Sequence, residues 1–456
     1  MARTLFAFFL LLPIQAIADE SSPSITAYNQ AVDAFFRKDY DTAIAESSEA
    51  VRLNLNYTDA YYIRGTAYFC KKDYDKAIEE FTEAIRLNLR YTEAYYNRGI
   101  AYFYKKDYDK AIADYTDTIH LDAKHFRAYN NRGLAYRDKK EYDKAIEDFS
   151  EVIRLDSKYA TGYLYRGFCC QTVKRYDKAI ADYSEVIRLT PKDANPYKYR
   201  ASALVKMTKY DQAIGDYTES IRLDPMQVQA YTSRGFAYLI KTEYDKAIQD
   251  CTEAIRLDPN FVKGYQNRGY AFYRKNEYDK AIKDFSESIR LDPNDATIYV
   301  FRADIYLKTM EYDKAIEDDS LTILLNPKQV NPYNNRGVAY LYKKEYEKAI
   351  EDFTEAIRLE PNDALALSFL ARIFAICPKD ALRDGKRSVR LATKACELSG
   401  WKNATYLAAL GAAYAEFGDY KKAVEFQKCV IELGFDNENS RKVLRLYEKG
   451  RPYRDE

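Results

Sequence analysis

The sequence predicts an all-α solenoid of helix-turn-helix hairpins stacked side by side, and three observations carry that prediction. Ala-Ile pairs end at Ile44, Ile78, Ile112, Ile146, Ile180, Ile214, Ile248, Ile282, Ile316 and Ile350, and every step is 34 residues. A fixed period of that length marks a repeat array rather than one large core. Each period holds two stretches with apolar residues three and four apart, so each stretch is a helix with one apolar stripe. Small residues recur at one place in each: Gly65, Gly99, Gly133, Gly167 and Ala201 in the first helix, Ala77, Ala111 and Ala145 in the second. Helices approach closely only where such side chains are small.

Ten units in strict register fill residues 24–363, starting with 24–57 and 58–91 and ending with 330–363. They are numbered here as repeats 1 to 10. In repeat 2 the first helix, A, carries Tyr61, Arg64, Gly65 and Tyr68 at positions 4, 7, 8 and 11. The second, helix B, carries Ala77, Ile78, Phe81, Ala84, Ile85 and Leu87. Asp73 and Asp75 flank Tyr74 at the start of helix B, where acids complement the helix dipole. Proline cannot continue a helix, so Pro191, Pro225, Pro259, Pro293, Pro327 and Pro361 are expected to end helix B from the fifth repeat on. The register then slips. Residues 364–403 form repeat 11, with about five extra residues in the insert CPKDALRDGKR. Its helix A holds Leu367, Leu370, Ala371 and Phe374, and its helix B holds Ser388, Val389, Ala392 and Ala395. Repeat 12 occupies 404–437, with Leu407, Leu410, Gly411, Tyr414, Tyr420 and Ala423. Residues 438–456 read as a capping helix, with Val443, Leu444 and Tyr447 inward, and a tail. Terminal units differ because their outer face meets water.

These residues resemble the tetratricopeptide repeat family over essentially the whole chain beyond the N-terminus. The resemblance implies a right-handed superhelix with helix A on the concave face, where partner peptides usually bind. It implies no particular partner. The stretches LATKACELSGWKN and LYEKGRPYRDE resemble the C-terminal end of exported, repeat-only bacterial proteins.

Composition narrows the function. Lys and Arg number 71 against 70 Asp and Glu, whereas a nucleic-acid binder needs a basic surface to displace counterions. Tyr is abundant, with 45 copies, as suits thin cores that bury a ring and keep its hydroxyl wet. The N-terminus reads as a secretory signal at 1–18. Arg3 supplies the charge, Leu5 to Leu12 the apolar run, and Ala16-Ile17-Ala18 the small-x-small cleavage pattern. The run is too short to span a bilayer. The expectation is an exported chain, periplasmic or secreted after cleavage near Ala18. Seven scattered Cys do not suggest a disulfide framework or a zinc site. Cys170 and Cys251 stand where other repeats place an aromatic, so they read as buried thiols.

Position 7 is Arg nine times, at Arg64, Arg98, Arg132, Arg166, Arg200, Arg234, Arg268, Arg302 and Arg336. Sixteen residues after each stands an acid: Glu80, Asp114, Asp148, Asp182, Asp216, Asp250, Asp284, Asp318 and Asp352. In the last two repeats both places turn apolar together, as Leu370 with Leu391 and Leu410 with Phe426. Arginines that each bring an acid read as structural ion pairs between helices A and B, rather than as a ladder for an anionic ligand.

Family geometry places positions 2, 5, 6, 9, 12 and 13 on or near the concave face. There the first repeats supply Tyr28, Phe35, Phe36, Tyr62, Phe69, Tyr96, Phe103 and Tyr104, and then the amides Asn97, Asn130 and Asn131. Rings beside amides suit an extended peptide, taking its apolar side chains and its backbone in turn. The expected partner is therefore a protein or extended peptide. A glycan stacked on the rings and a self-assembling structural solenoid are the alternatives, and the oligomeric state is open.

No enzyme is expected. Two His, His120 and His125, are too few for common acid–base or metal centres, and His125 falls where neighbouring repeats place a packing Tyr. No G-x-S-x-G, H-E-x-x-H or phosphate loop is present, and no cofactor is implied. The basic stretch from Lys379 to Lys394 reads as a solvated helix face.

Overall fold

The protein is described by a computed structural model covering residues 22–455, so the expected export signal lies outside the described residues. Among these residues all regular structure is helical, with 25 α-helices and one short 3-10 turn. The ten regular repeats are all helix hairpins. In repeat 2, helix A is Thr58–Cys70 and helix B is Tyr74–Leu87. Repeat 11 pairs Ala364–Ile376 with Gly385–Leu398, and repeat 12 pairs Ala404–Phe417 with Tyr420–Glu432. Glu438–Glu448 closes the series. The chain forms two compact bodies, one running to Pro225 and the other starting at Met226. The 34-residue period passes through that point without a break.

Local chemistry sets the helix ends. The Asp73 carboxylate caps helix B by accepting the Lys76 N–H at 3.3 Å, and Asp39 and Asp107 act alike. From repeat 4 on, Glu141, Arg175 and Lys209 occupy that place without a side-chain cap. Proline does not set the end of helix B. Helix B ends at Leu87, Leu121 and Leu155 in repeats that lack it, the same place as Leu189 and Leu257 in repeats that have it. The next residue turns extended, and its side chain takes over. Asn88 accepts the Arg90 N–H at 3.0 Å, and Asp122 the Lys124 N–H at 2.9 Å. Between helices A and B one residue is left-handed in each regular repeat, such as Lys72 at φ 66° and Lys106 at φ 63°.

The core is a row of thin layers. The ring at position 24 (Phe81, Tyr115, Phe149, Tyr183, Phe285, Phe353) is buried against the glycine at position 8. A Cβ on Gly99 or Gly269 would sit 2.8 Å from the ring of Tyr115 or Phe285, so the glycine is what admits the ring. In repeats 1 and 9, where Ser47 and Asp319 replace the ring, position 8 is alanine, Ala31 and Ala303; repeat 6 keeps the ring of Tyr217 with Ala201, and repeat 7 sets Gly235 against Cys251.

The arginine at position 7 joins three helices. Arg132 forms two parallel hydrogen bonds to Asp148 of its own helix B, Nε to Oδ2 at 2.9 Å and Nη2 to Oδ1 at 2.7 Å. Its Nη1 donates to the Thr116 hydroxyl at 3.0 Å, on helix B of the preceding repeat. That hydroxyl donates onward to the Ile112 carbonyl at 2.7 Å. The same arrangement recurs with Ser150, Ser184, Thr252, Ser286 and Ser320. All nine expected acids receive their arginine. Glu80 takes a single bond from Arg64 at 2.7 Å, and Arg64 Nε is left buried without a partner. A second row ties neighbours at the surface, with Lys139 on Asp109 at 2.5 Å and Lys275 on Asp245 at 2.6 Å. The acids placed for the helix dipole thus also bridge to the next repeat.

The divergent end is held differently. Leu370 and Leu391 share one apolar cluster, and Leu410 and Phe426 another, where regular repeats carry the ion pair. The basic insert is not simply solvated. Arg383 is half-buried, set on Glu416 at 3.0 Å and donating to the Cys377 carbonyl at 2.9 Å, and Arg387 lies over the Phe374 ring. A Cβ on Gly385 would come within 2.8 Å of the Phe417 backbone nitrogen. In the capping helix Tyr447 is buried with Val443 and Leu446 beside it, so Leu446 takes the inward place expected of Leu444.

Burial pushes the Asp148 carboxyl above its ordinary value, and the Arg132 guanidinium offsets only part of that. The pair therefore specifies register more than it adds net stability. Arg132→Leu or Asp148→Leu alone strands a charge, with side-chain exposures of 17% and 5% for the pair. Each single change should destabilise by about 2–4 kcal/mol, at or below the range for buried pairs because the guanidinium stays partly wet. The double Leu variant should lie near wild type, as read by urea titration. Three equal losses would contradict the pairing.

Candidate functional site

The helix-A face is where an array of this kind leaves side chains free of its own stacking, and the first repeats show which positions remain so. Position 5 does not. The Tyr62 ring is buried between Phe81 at 5.8 Å and Tyr91 at 5.1 Å, and its hydroxyl accepts from Asn97 Nδ2 at 2.7 Å. One repeat on, Tyr96 sits between Tyr115 and His125 and accepts from Asn131 Nδ2 at 3.1 Å. Asn130 is buried and donates to Asn131 at 3.2 Å. Asn97 and Asn131, two of the amides expected to hold a peptide backbone, thus stitch one hairpin to the next. Position 12 is similar. Phe35 is buried on Tyr40, and Phe69 lies between Tyr74 at 5.4 Å and Tyr104 at 5.7 Å. Tyr28 is half-buried on Tyr57, and Phe103 and Tyr104 are half-buried. Phe35, Tyr62, Phe69 and Asn130 therefore do not line an open groove, because positions 5 and 12 point into the joint between repeats.

Open rings stand at positions 9 and 13 instead. In the N-terminal body Phe36 is 61% exposed, and Phe168 is also exposed. The C-terminal body has two such rings, Phe236 at 42% and Tyr342 at 63%, and an open aliphatic side chain, Ile240 at 48%. Between them in sequence, Tyr270, Tyr273 and Phe301 form a half-buried cluster, with Tyr270 and Phe301 5.5 Å apart. Beside it Tyr273 donates to Asp304 at 2.7 Å, and Lys308 donates to both, at 2.7 and 2.6 Å. Sequence reading centred on the N-terminal repeats because rings are densest there. Position 9 carries a ring in Phe168, Phe236 and Tyr270, of which Phe168 and Phe236 are exposed.

Other reactive side chains have structural roles. His125 Nδ1 accepts the Ala128 N–H at 3.1 Å and caps its helix, and burial holds the imidazole below its ordinary value. All seven Cys are free thiols. Burial pushes Cys169, Cys251 and Cys396 up to about 12, which keeps them protonated and unreactive. Among the described residues no three His, Cys, Asp or Glu side chains are grouped to hold a metal ion. None of their helices is long and apolar enough to cross a membrane.

Residues 92–125, 126–159, 228–261, 262–295 and 330–363 match the model of the tetratricopeptide repeat, and 65–105 match a second model, TPR repeat. The five 34-residue matches begin and end on the boundaries of repeats 3, 4, 7, 8 and 10. This is a tetratricopeptide-repeat protein. Solved structures similar to it include YrrB, described as a TPR protein with an unusual peptide-binding site. YrrB is 24% identical over 41% of this chain and 95% of its own, with a TM-score of 0.38. MamA is 26% identical over 38% of this chain and 94% of its own, at 0.35. A tetratricopeptide repeat protein from Parabacteroides merdae is 20% identical over 53% and 95%, at 0.42. No curated protein matches the sequence.

One tetratricopeptide repeat breaks the pattern sharply. Asp319 takes the ring position of repeat 9, is 0% exposed, and has no hydrogen-bond partner on either carboxylate oxygen. Arg336, the nearest cation, is fully occupied by Asp352 and Ser320. Asp318 is held by Arg302, and Asp304 adds further negative charge. Burial first, then Asp318, pushes the Asp319 carboxyl up to about 9. A carboxyl raised in the folded state contributes stability below its unfolded pKa and loses it as pH rises toward the folded one. Repeat 9 should therefore weaken by about 1.4 kcal/mol per pH unit between about pH 4 and pH 9. Asp319→Asn should abolish that slope. The check is protection of the Ala296–Lys308 and Tyr312–Leu325 amides against hydrogen exchange, corrected for intrinsic rates, at pH 5 to 8. Identical slopes in both proteins would contradict it.

Proposed function

We propose that this protein is a scaffold in the cell envelope that holds an extended polypeptide along the concave, helix-A face of its repeats. A tetratricopeptide array supports protein interaction in general. The observation that carries the finer reading is the set of open apolar side chains Phe236, Ile240 and Tyr342 on helices A of repeats 7 and 10, with the half-open Tyr270 on helix A of repeat 8 between them in sequence. Rings held on rigid helices lose little entropy on binding and fill partner pockets, so they serve as anchors. The Asp304–Lys308 pair beside the cluster offers both signs of charge to a peptide backbone or side chain. The repeated carboxylates are committed to arginine, and five of the seven thiols are buried, which supports an array that positions partners rather than transforming them. Export rests on Arg3, the apolar run from Leu5 and the Ala16-Ile17-Ala18 pattern.

Panning a displayed peptide library against the purified protein tests this. The triple variant Phe236→Ala/Tyr270→Ala/Tyr342→Ala should keep its thermal melt and lose at least about tenfold in affinity for the selected peptides, since each anchor is worth about 1–2 kcal/mol. Unchanged affinity would remove the C-terminal face from consideration. Protein purified from its host should begin at Asp19. Retention of Arg3 would remove export.

A further inference from the structure

The segment that follows the capping helix does not run off into solvent. It crosses back onto the helix-A side of repeats 11 and 12. The Tyr453 ring packs against the cluster of Ala375, Ile376 and Ala412 and against that of Ala415, Ala423 and Tyr447. The backbone continues the attachment. Asp455 N–H donates to the Ile376 carbonyl at 3.1 Å, and Arg454 Nη1 to the Ala375 carbonyl at 3.3 Å. Arg454 Nη2 lies 2.6 Å from Glu416 Oε2. Residues 451–455 carry no regular secondary structure, so the segment lies as a strand-like peptide across the ends of two A helices.

The surface beneath it is built to receive such a segment. Position 12 holds Phe69 and Phe103 in repeats 2 and 3, and Tyr273, Leu307 and Leu341 in repeats 8, 9 and 10. In repeats 11 and 12 it holds Ala375 and Ala415. Loss of those side chains leaves the depth that the Tyr453 ring fills. Glu416 marks the polar end. Its carboxylate is buried at 14% side-chain exposure, Arg383 approaches Oε1 at 3.0 Å, and Arg454 is the cation set against Oε2. An ionised carboxylate buried to that degree calls for a positive partner on each side. The Ile376 carbonyl, past the last turn of its helix bonds, is likewise free to accept from a backbone N–H.

We infer that the helix-A face of repeats 11 and 12 is a receptor for extended peptides carrying an aromatic residue followed by arginine, and that the chain's own 451–455 segment fills it as an internal competitor. The ring enters the alanine-walled depth, the guanidinium pairs with Glu416, and the next backbone N–H caps the Ile376 carbonyl. An incoming partner segment gains access only by displacing the internal one, so occupancy is set by the difference between the two affinities. This rests on the reading of the helix-A face as the binding surface, but it concerns repeats 11 and 12 rather than the rings of repeats 7 to 10.

The test is fluorescence polarisation with a labelled peptide of residues 450–456. Its hosts are the full chain, a chain ending at Gly450, and full-length Tyr453→Ala, which releases the segment without truncation. The expected result is binding to both opened forms at least tenfold tighter than to the full chain. Binding should be lost with a Tyr453→Ala peptide and weakened at least tenfold by Glu416→Gln in the host. No binding to either opened form that retains its helical circular dichroism would overturn the inference, as would equal binding to the full chain. The Phe236/Tyr270/Tyr342 variant leaves this assay unchanged, so failure here and failure of the scaffold reading are separately visible.

Discussion

The arginine at position 7 is the joint on which the array depends. A hairpin of 34 residues cannot bury its own apolar stripe, and stacking solves that only if each hairpin meets the next in one register. Arg132 reaches Asp148 within its repeat and Thr116 in the one before, so a single planar group fixes three helices at once. Apolar packing of the position-24 ring against the position-8 glycine supplies contact area without direction. The guanidinium fork supplies direction. Where repeats 11 and 12 abandon the fork for Leu370–Leu391 and Leu410–Phe426, register is held by specific devices, namely Arg383 on Glu416 and the close approach at Gly385.

The same joint accounts for what the helix-A face has left to offer. Rings at positions 5 and 12 are consumed in holding hairpins together, with Asn97 and Asn131 tying their hydroxyls. At positions 9 and 13 the open apolar side chains of the C-terminal body are Phe236, Ile240 and Tyr342. Repeat 9 lies between these positions in sequence and has traded its core ring for Asp319. It has also replaced the exposed Glu–Arg pair of its neighbours, Glu287–Arg290 and Glu355–Arg358, by Leu321 and Leu324. Repeat 9 thus departs from its neighbours both in its core and on its surface.

Much of this was legible in the residues alone. The period gave the ten regular hairpins, and the co-occurrence of each Arg with an acid sixteen residues on gave the nine Arg–acid pairs between helices A and B. The third partner was not legible, because a Ser or Thr on a helix surface is ordinary until an arginine from another hairpin is placed beside it. The burial of Tyr62 and Phe69 was hidden for a related reason. Tyr62 and Phe69 share a helix face with open residues, and only the position of the next hairpin separates buried from free. Proline looked like the stop for helix B because it follows the end closely, yet Asn88 and Asp122 end it equally well. The return of Tyr453 onto repeats 11 and 12 leaves no periodic trace, since an extended segment obeys no helical spacing.

Hydrogen exchange along the whole chain of Arg132→Leu tests the joint most directly. If the arginine ties neighbouring hairpins, protection falls in helix B of repeat 3, Tyr108–Leu121, as well as in both helices of repeat 4, while repeats 7 to 12 are unchanged. Loss confined to repeat 4, with Tyr108–Leu121 as protected as in the wild type, would contradict it.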